Sequence, residues 1–558
     1  MQSDDRRNES TPANLAHSQA ARAIETGDIP KAIEALELAV DGDPNDSRLM
    51  ELLADAYALD GQYIEALRKL DRIIENGAAT AGVWLRTGQL LTTVGEYAQA
   101  IGAFEHSISL DGQAAEAFHD FGRVLYKLGD LGGAATHLEQ AGTLCDEVDP
   151  WLALATLAPN NPNYTHFDVL RIRQAVAKKM INGQELPPPA QPRRRSEPVR
   201  VGYLSSWFDR ENYMKPVWGL INQHDRTRFE INLFSDTNVD QGFPGYQANS
   251  SDQIHETQGL SNKELAEAIR AANIDILVDL NAYSTPARLG LFLSRPAPVT
   301  VAWFNHYATS GFPGFDYIIG DDVTIRAEEE EYYCEKVLRL PQSYLSFSVT
   351  HDAPAVVDPP CCKNGFVTFG SLVTMYKLTA PVIGAWSEIL RAVPESRLLL
   401  ANAELDSRVN QEFLASRFAD CGVDISQIEF RGPAEHRAFL EYYNAIDVAL
   451  DAFPYNGGTT TMEAIWQGLP VLTFRGDRWA SRTSASILAG THLENFVADG
   501  REGYIDSAVS LARTSDLASH LSDLRHSMRS LLVDSPACDT TSLARAMESL
   551  FLEVAISS

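Results

Sequence analysis

The sequence predicts a helical solenoid followed by two doubly wound α/β lobes, on three observations. Gly27, Gly61, Gly95 and Gly129 stand at a constant interval of 34 residues in the first quarter of the chain. From residue 199 onward, short β-branched runs alternate with amphipathic helical segments, the pattern of parallel strands joined by crossovers. After PPCCKNG (359–365) the alternation starts afresh, so one lobe ends and a second begins. At 558 residues the chain exceeds what one core organises, and about three domains are expected.

The first element is the solenoid. Ala32, Ala66, Ala100 and Ala134 follow the four glycines by five residues and keep the same interval. Small residues at Ala20, Ala54, Gly88 and Gly122 let paired helices approach. Leu36, Leu70, Phe104 and Leu138 fill the seam, with Trp84 and Phe118 one helix earlier. Four units in register define tetratricopeptide repeats, assigned to residues 1–150. One helix pair cannot bury its apolar face alone, so the units stack and leave a concave surface suited to a protein partner. Residues 151–182 carry Trp151, Leu152, Leu154, Leu170, Ile172 and Val176 at helical spacing and are expected to cap the solenoid. GQELPPPAQPRRRSEP (183–198) then breaks all periodicity, so 151–198 reads as capping helix and Pro-rich linker.

Charge and composition narrow the function. A net charge of −29 opposes nucleic-acid binding, which needs a basic face. The basic cluster Arg193-Arg194-Arg195 lies in the linker and reads as solvated. No run approaches the roughly 18 apolar residues of a membrane span. The polar start MQSDDRRNES lacks the apolar core of a secretory signal, so a cytoplasmic location is expected. Cys145, Cys334, Cys361, Cys362, Cys421 and Cys538 show no paired spacing and no Cys-x-x-Cys, which suggests neither a disulfide framework nor a metal site.

The first lobe (199–358) has strand candidates VRVGYLS (199–205), FEINLFS (229–235), DILVDL (275–280), VTVAWF (299–304) and DYIIG (316–320). The second (359–558) has FVTFG (366–370), RLLLAN (397–402), IEFRG (428–432), DVALD (447–451) and PVLTFRG (470–476). Such sheets bind ligands beyond the carboxyl ends of their strands, at helix N-termini, here in a cleft between lobes. A helical tail (501–556) finishes the chain and is placed to cross back between them.

The chemistry concentrates in DVALDAFPYNGGTTTMEAIWQGLPVLTFRGDRWASR (447–482). A buried strand ends at Asp451, and Pro454-Tyr455-Asn456-Gly457-Gly458 turns the chain. Thr459-Thr460-Thr461 then opens a helix whose free N–H groups and hydroxyls suit a phosphate. Glu463, one turn inside, is placed to accept the hydroxyls of a ribose.

This segment, with WFNHYATSGFPGFDYIIGD (303–321) and MYKLTAPVIGAWSEILRAVPESRLLL (375–400), resembles the catalytic region of the O-GlcNAc transferases and SPINDLY-type enzymes of glycosyltransferase family 41. Members of that family commonly carry N-terminal tetratricopeptide repeats. The resemblance covers residues from about 199 to 545 and implies the two-lobed GT-B fold. It implies that Lys377, with Tyr376 before it, neutralises the donor diphosphate. It further implies that Thr459 and Thr460 bind the diphosphate in the loop of Gly457 and Gly458, that Glu463 meets the ribose and that His436 lies by the nucleoside. Ser310 and Gly311 belong to a shared Thr-Ser-Gly loop close to the donor sugar.

Departures from the family pattern cluster at the sugar end. SSWFDRENYMKPV (205–217) puts Glu211 where the family has a histidine, Asn305-His306-Tyr307-Ala308 replaces Gly-Tyr-Pro-Gly, and Gly458 replaces a histidine before Thr-Thr. A different sugar accounts for this better than a dead enzyme. Glu211 is the first candidate for an assisting base and His306 the second. Glu211 can equally form a salt bridge with Arg210 or Lys215. Arg210, Lys215, Arg475, Arg478 and Arg482 either are solvated or receive a carboxylated sugar, since Arg pairs bidentately with carboxylate.

The expected activity is metal-independent, inverting transfer of a sugar from a nucleotide-sugar donor to Ser or Thr of a protein docked on the repeats, with no cofactor. The donor is either UDP-GlcNAc-like or a CMP-linked nonulosonic acid. The latter follows from likeness to a bacterial branch of the family that modifies flagellin. The alternative is a catalytically inactive scaffold of repeats and lobes that binds a protein partner.

Overall fold

The computed structural model describes residues 20–191, 198–240 and 242–557, so Arg193-Arg194-Arg195 lies outside the described residues. The chain divides into two compact units. One is the repeat unit, through Leu128 and including Gly133–Asp146 and Ser407–Phe413; the other comprises Gly129–Gly132, Glu147–Asp406 and Leu414–Ser558.

In the repeat unit, helices run over Ile29–Gly42, Ser47–Leu59, Tyr63–Glu75, Ala81–Thr93, Tyr97–Leu110 and Ala115–Lys127. The glycine period marks their turns. At Gly61 (φ +77) the amide bonds Ala58 O and Gln62 N reaches back to Tyr57 O, which satisfies the last carbonyls of the helix; Gly95 (φ +83) repeats the pattern with Thr92 and Leu91. The small positions are small for lack of space: a Cβ on Gly88 would lie 2.8 Å from the Phe104 ring, and one on Gly122 2.7 Å from Leu138 Cγ. Asp46 and Thr80 cap helix starts by accepting backbone N–H bonds.

The second unit holds two parallel sheets. The first contains β1 (Val199–Ser205), β2 (Phe229–Ser235), β3 (Gln253–Glu256), β4 (Ile276–Asp279), β5 (Val299–Ala302), β6 (Tyr317–Asp321) and β7 (Lys336–Leu340), in the order β3-β2-β1-β4-β5-β6-β7. The second contains β8 (Thr368–Ser371), β9 (Arg397–Ala401), β10 (Ile428–Arg431), β11 (Val448–Leu450), β12 (Val471–Phe474) and β13 (Val497–Ala498), in the order β10-β9-β8-β11-β12-β13. Both follow the Rossmann order, with the strand sequence reversing between β1 and β4 and between β8 and β11.

Helices Asp149–Leu157 and His166–Ile181 correct the expectation of a solenoid cap: they belong to the unit of the two sheets. Arg173 shows why, since its guanidinium donates to the carbonyls of Ala155, His306 and Thr309 and lies 4.0 Å from the Tyr283 ring centre. The tail forms Gly500–Arg513, Leu517–Val533 and Thr540–Ser557. Tyr504 of the first packs on the second lobe, accepting from Trp386 Nε1 at 2.9 Å. Glu548 of the last reaches the first lobe, accepting from Asp225 N at 2.8 Å and pairing with His224.

Candidate active site

The loops after β8 and β11, at the reversal point of the second sheet, bring the diphosphate candidates together. Lys377 ends a short turn (Met375–Lys377) ahead of the helix Ala380–Ala392. Its Nζ donates to Asn456 O at 2.7 Å and stands 4.1 Å from the Tyr455 ring centre. Burial lowers its pKa to about 8, and the nearby Asp451 carboxylate opposes that shift only in part. Asp451 holds the loop, accepting from Gly457 N at 2.8 Å and from the Thr473 hydroxyl at 2.8 Å. Burial pushes its own pKa up.

Gly457 must be glycine, because a Cβ there would lie 2.4 Å from Thr461 Oγ1 and 2.7 Å from Thr460 Oγ1. Gly458 caps the helix Thr459–Trp466 without a side chain. The first intrahelical bond runs from Met462 N to Gly458 O, so the amides of Thr459, Thr460 and Thr461 precede it and face the loop. Lys377 and this helix start form a cationic, donor-rich cradle for a diphosphate. Tyr376 sits at its edge, its ring 6.1 Å from that of Tyr455.

Glu463 lies deeper than the ribose assignment assumes. Its Oε1 accepts from Lys215 Nζ at 2.9 Å, across the lobes, and contacts His436 Nε2 at 3.1 Å. Burial works to raise its pKa, but Lys215 and His436 outweigh it and leave the carboxylate below its ordinary range. His436 also meets His351 edge-on at 4.7 Å. Glu211 opens the helix Glu211–Ile221 and accepts from the Thr350 hydroxyl at 2.5 Å; its expected ion pairs are taken elsewhere, Lys215 by Glu463 and Arg210 by Asp209.

Four expectations are corrected. His306 is 1% exposed, with Nε2 on Asp279 Oδ2 at 3.1 Å, and an acceptor hydroxyl cannot reach it as a base. Ser310 is fully buried, its amide on Glu335 at 2.6 Å and its carbonyl on the Tyr283 hydroxyl at 2.8 Å. Gly311 (φ +73) abuts the helix His166–Ile181, where a Cβ would lie 2.4 Å from Arg173 Cβ. Both shape the loop rather than line the cleft. Arg482 is fully buried, its Nη2 donating to both carboxylate oxygens of Glu329 at 2.6 and 2.7 Å. Arg478 donates to Asn161 O, Tyr164 O and Asp477. Of the basic cluster, Lys215, Arg478 and Arg482 are thus spent on internal structure, while Arg210 and Arg475 are exposed.

Sequence reasoning gave no role to Tyr307 or Tyr455, and it offered Lys215 to a sugar carboxylate or to Glu211 where the structure pairs it with Glu463. Two loop residues at the carboxyl end of β5, Phe304 (φ +73) and Tyr307 (φ +54), hold the left-handed region without being glycine, a conformation concentrated at functional sites. The Asn-His-Tyr-Ala departure was the visible signal.

Two Rossmann-type sheets, with a buried lysine and a donor-rich helix start at the reversal point of the second, define a two-lobed α/β protein with a site suited to an anion. The glycosyl transferase family 41 model matches residues 178–352 and 362–547, and the chain belongs to that family. It is 32% identical over 362 residues to a tomato (Solanum lycopersicum) protein named probable UDP-N-acetylglucosamine–peptide N-acetylglucosaminyltransferase SPINDLY, an alignment covering 63% of this chain and 38% of the relative. It is 26% identical over 370 residues to the Arabidopsis thaliana relative named SEC, covering 64% of this chain and 37% of that protein. The chain thus spans about two fifths of the length of these relatives. Among solved structures, a lysine-to-methionine mutant of the Thermobaculum terrenum O-GlcNAc transferase superposes with a TM-score of 0.75 at 26% identity, covering 98% of both chains.

Proposed function

We propose that this chain is a protein O-glycosyltransferase that takes a nucleoside-diphosphate sugar in the lobe cleft and transfers the sugar to Ser or Thr of a protein held by its repeats. The observation that carries the reading is Lys377 beside the amides of Thr459–Thr461, a cradle matched to a leaving diphosphate. As the bond from the anomeric carbon to the diphosphate breaks, charge develops on the leaving oxygen, where Lys377 and the helix start stand. Attack by the acceptor hydroxyl on the opposite face inverts the carbon. Glu211, half-buried at the mouth of the first lobe, is the carboxylate assigned to take the hydroxyl proton. The family membership and the activities for which the relatives are named support a peptide acceptor and a UDP-N-acetylglucosamine-like donor. The CMP-linked, flagellin-directed alternative drew in part on a basic cluster in which Lys215, Arg478 and Arg482 are held by internal partners, so a neutral sugar is favoured.

The test is hydrolysis and transfer from UDP-, GDP- and CMP-linked donors by wild type and Lys377→Ala. Turnover of a diphosphate donor, lost in the variant, is expected. Binding of a protein partner unchanged by Lys377→Ala, with no donor turned over, would instead establish the scaffold.

A further inference from the structure

Tyr307 stands where the two lobes face each other, and the diphosphate cradle does not use it. Its backbone is held at φ +54, which a non-glycine residue adopts only when its surroundings enforce it. Its ring meets that of Tyr455 edge-on at 4.9 Å, and the two hydroxyls are hydrogen-bonded. Tyr455 in turn carries Lys377 Nζ on its face. From the other lobe, a Cβ placed on Gly458 would have the Tyr307 hydroxyl as its neighbour, at 3.6 Å. The phenol therefore stands over the capping glycine of the helix Thr459–Trp466.

A diphosphate seated on Lys377 and that helix start sends its sugar out past the cap residue, and the first-lobe group it meets there is Tyr307. We propose that Tyr307 is a specificity-determining residue of the donor site: its hydroxyl takes the space left open at Gly458 and hydrogen-bonds the transferred sugar, selecting an uncharged, hydroxyl-bearing hexose. This rests on the nucleotide-sugar reading above. The chemistry is consistent with it. Burial drives the Tyr307 pKa upward, so the phenol is a neutral donor across the working range and not a base. Lys215, Arg478 and Arg482 are bound to internal partners, so they offer a sugar carboxylate no free cation.

The experiment measures affinity of the full chain for UDP and GDP and for UDP-N-acetylglucosamine and GDP-mannose, by calorimetry. With Tyr307→Phe, affinity for the sugar conjugate is expected to fall about tenfold, the loss of one hydrogen bond to a sugar, with affinity for the bare diphosphate unchanged. Gly458→Ala, which sets a methyl group against the hydroxyl from the opposite lobe, should act in the same direction. Unshifted melting temperatures establish that both variants fold. Equal effects on conjugate and diphosphate, or none on either, overturn the proposal while leaving the nucleotide-sugar reading intact. Wild type that binds neither UDP nor GDP overturns that reading, and the assignment of Tyr307 with it.

Discussion

Lys377 is poised by its burial. With a pKa near 8, it is protonated at neutral pH but gives up its charge within reach of ordinary buffers. A diphosphate binds the protonated form, so affinity for UDP should hold below pH 8 and fall as pH rises through it, by up to tenfold per pH unit until the bound-state pKa is reached. Calorimetry between pH 6.5 and 9.5 measures this, and a flat profile would detach Lys377 from the phosphate. Lys377→Ala should reduce turnover by about 10²–10³, the usual loss when one stabiliser of developing charge is removed. Glu463 gives a second prediction. Removing it by Glu463→Ala strands the buried Lys215, at a cost of about 3–5 kcal/mol of stability. Glu463→Ala with Lys215→Met should recover much of that in chemical denaturation. Lys377 and Thr459–Thr461 were legible in the sequence because each sits in a short local motif. The Lys215–Glu463 and Arg482–Glu329 pairs were not, since their partners lie 248 and 153 residues apart and nothing local marks them.

Elements were legible in proportion to their burial. β1, β2 and β9 are almost wholly buried apolar runs and stood out as such, whereas β3 (Gln253–Glu256) is a mostly exposed polar edge and β13 is two residues long. Neither has an apolar run or alternation to read. The tail helix Thr540–Ser557 was visible as a helix, but its anchor was not. His224, sealed from solvent, takes the Tyr203 hydroxyl on Nε2 at 2.7 Å and Glu548 on Nδ1 at 3.1 Å. Burial lowers the His224 pKa despite Glu548, while His224 and the Asp225 amide hold Glu548 below its ordinary value against burial. Both shifts have one consequence. The unfolded chain binds protons that the folded one refuses, so stability falls as pH drops below the ordinary histidine value of 6.5 and falls further through the carboxylate range. Urea midpoints should be lower at pH 5.5 than at pH 7.5 in wild type, and by at least as much in Glu548→Gln, where the carboxylate that holds the His224 pKa up is gone.

At the scale of the molecule, the first repeats hold a core of their own. One buried cluster runs from Ala20 to Leu90 entirely within the repeats. Damage to that core should therefore spare the chemistry of the lobes. Leu53 is the place to test this, because it is fully buried inside that cluster. Leu53→Ala should open a cavity there at a cost of about 2–5 kcal/mol, confined to the repeats. Differential scanning calorimetry should show the transition of the repeat unit moving down while that of the lobes stays. Kinetics should divide the same way under the proposed reading: hydrolysis of the nucleotide sugar, which needs only the cleft, persists, while transfer to a folded protein acceptor declines because its docking surface is lost. A variant that lost both in parallel would mean that the repeats complete the catalytic site itself, and the proposed separation between docking and chemistry would fail.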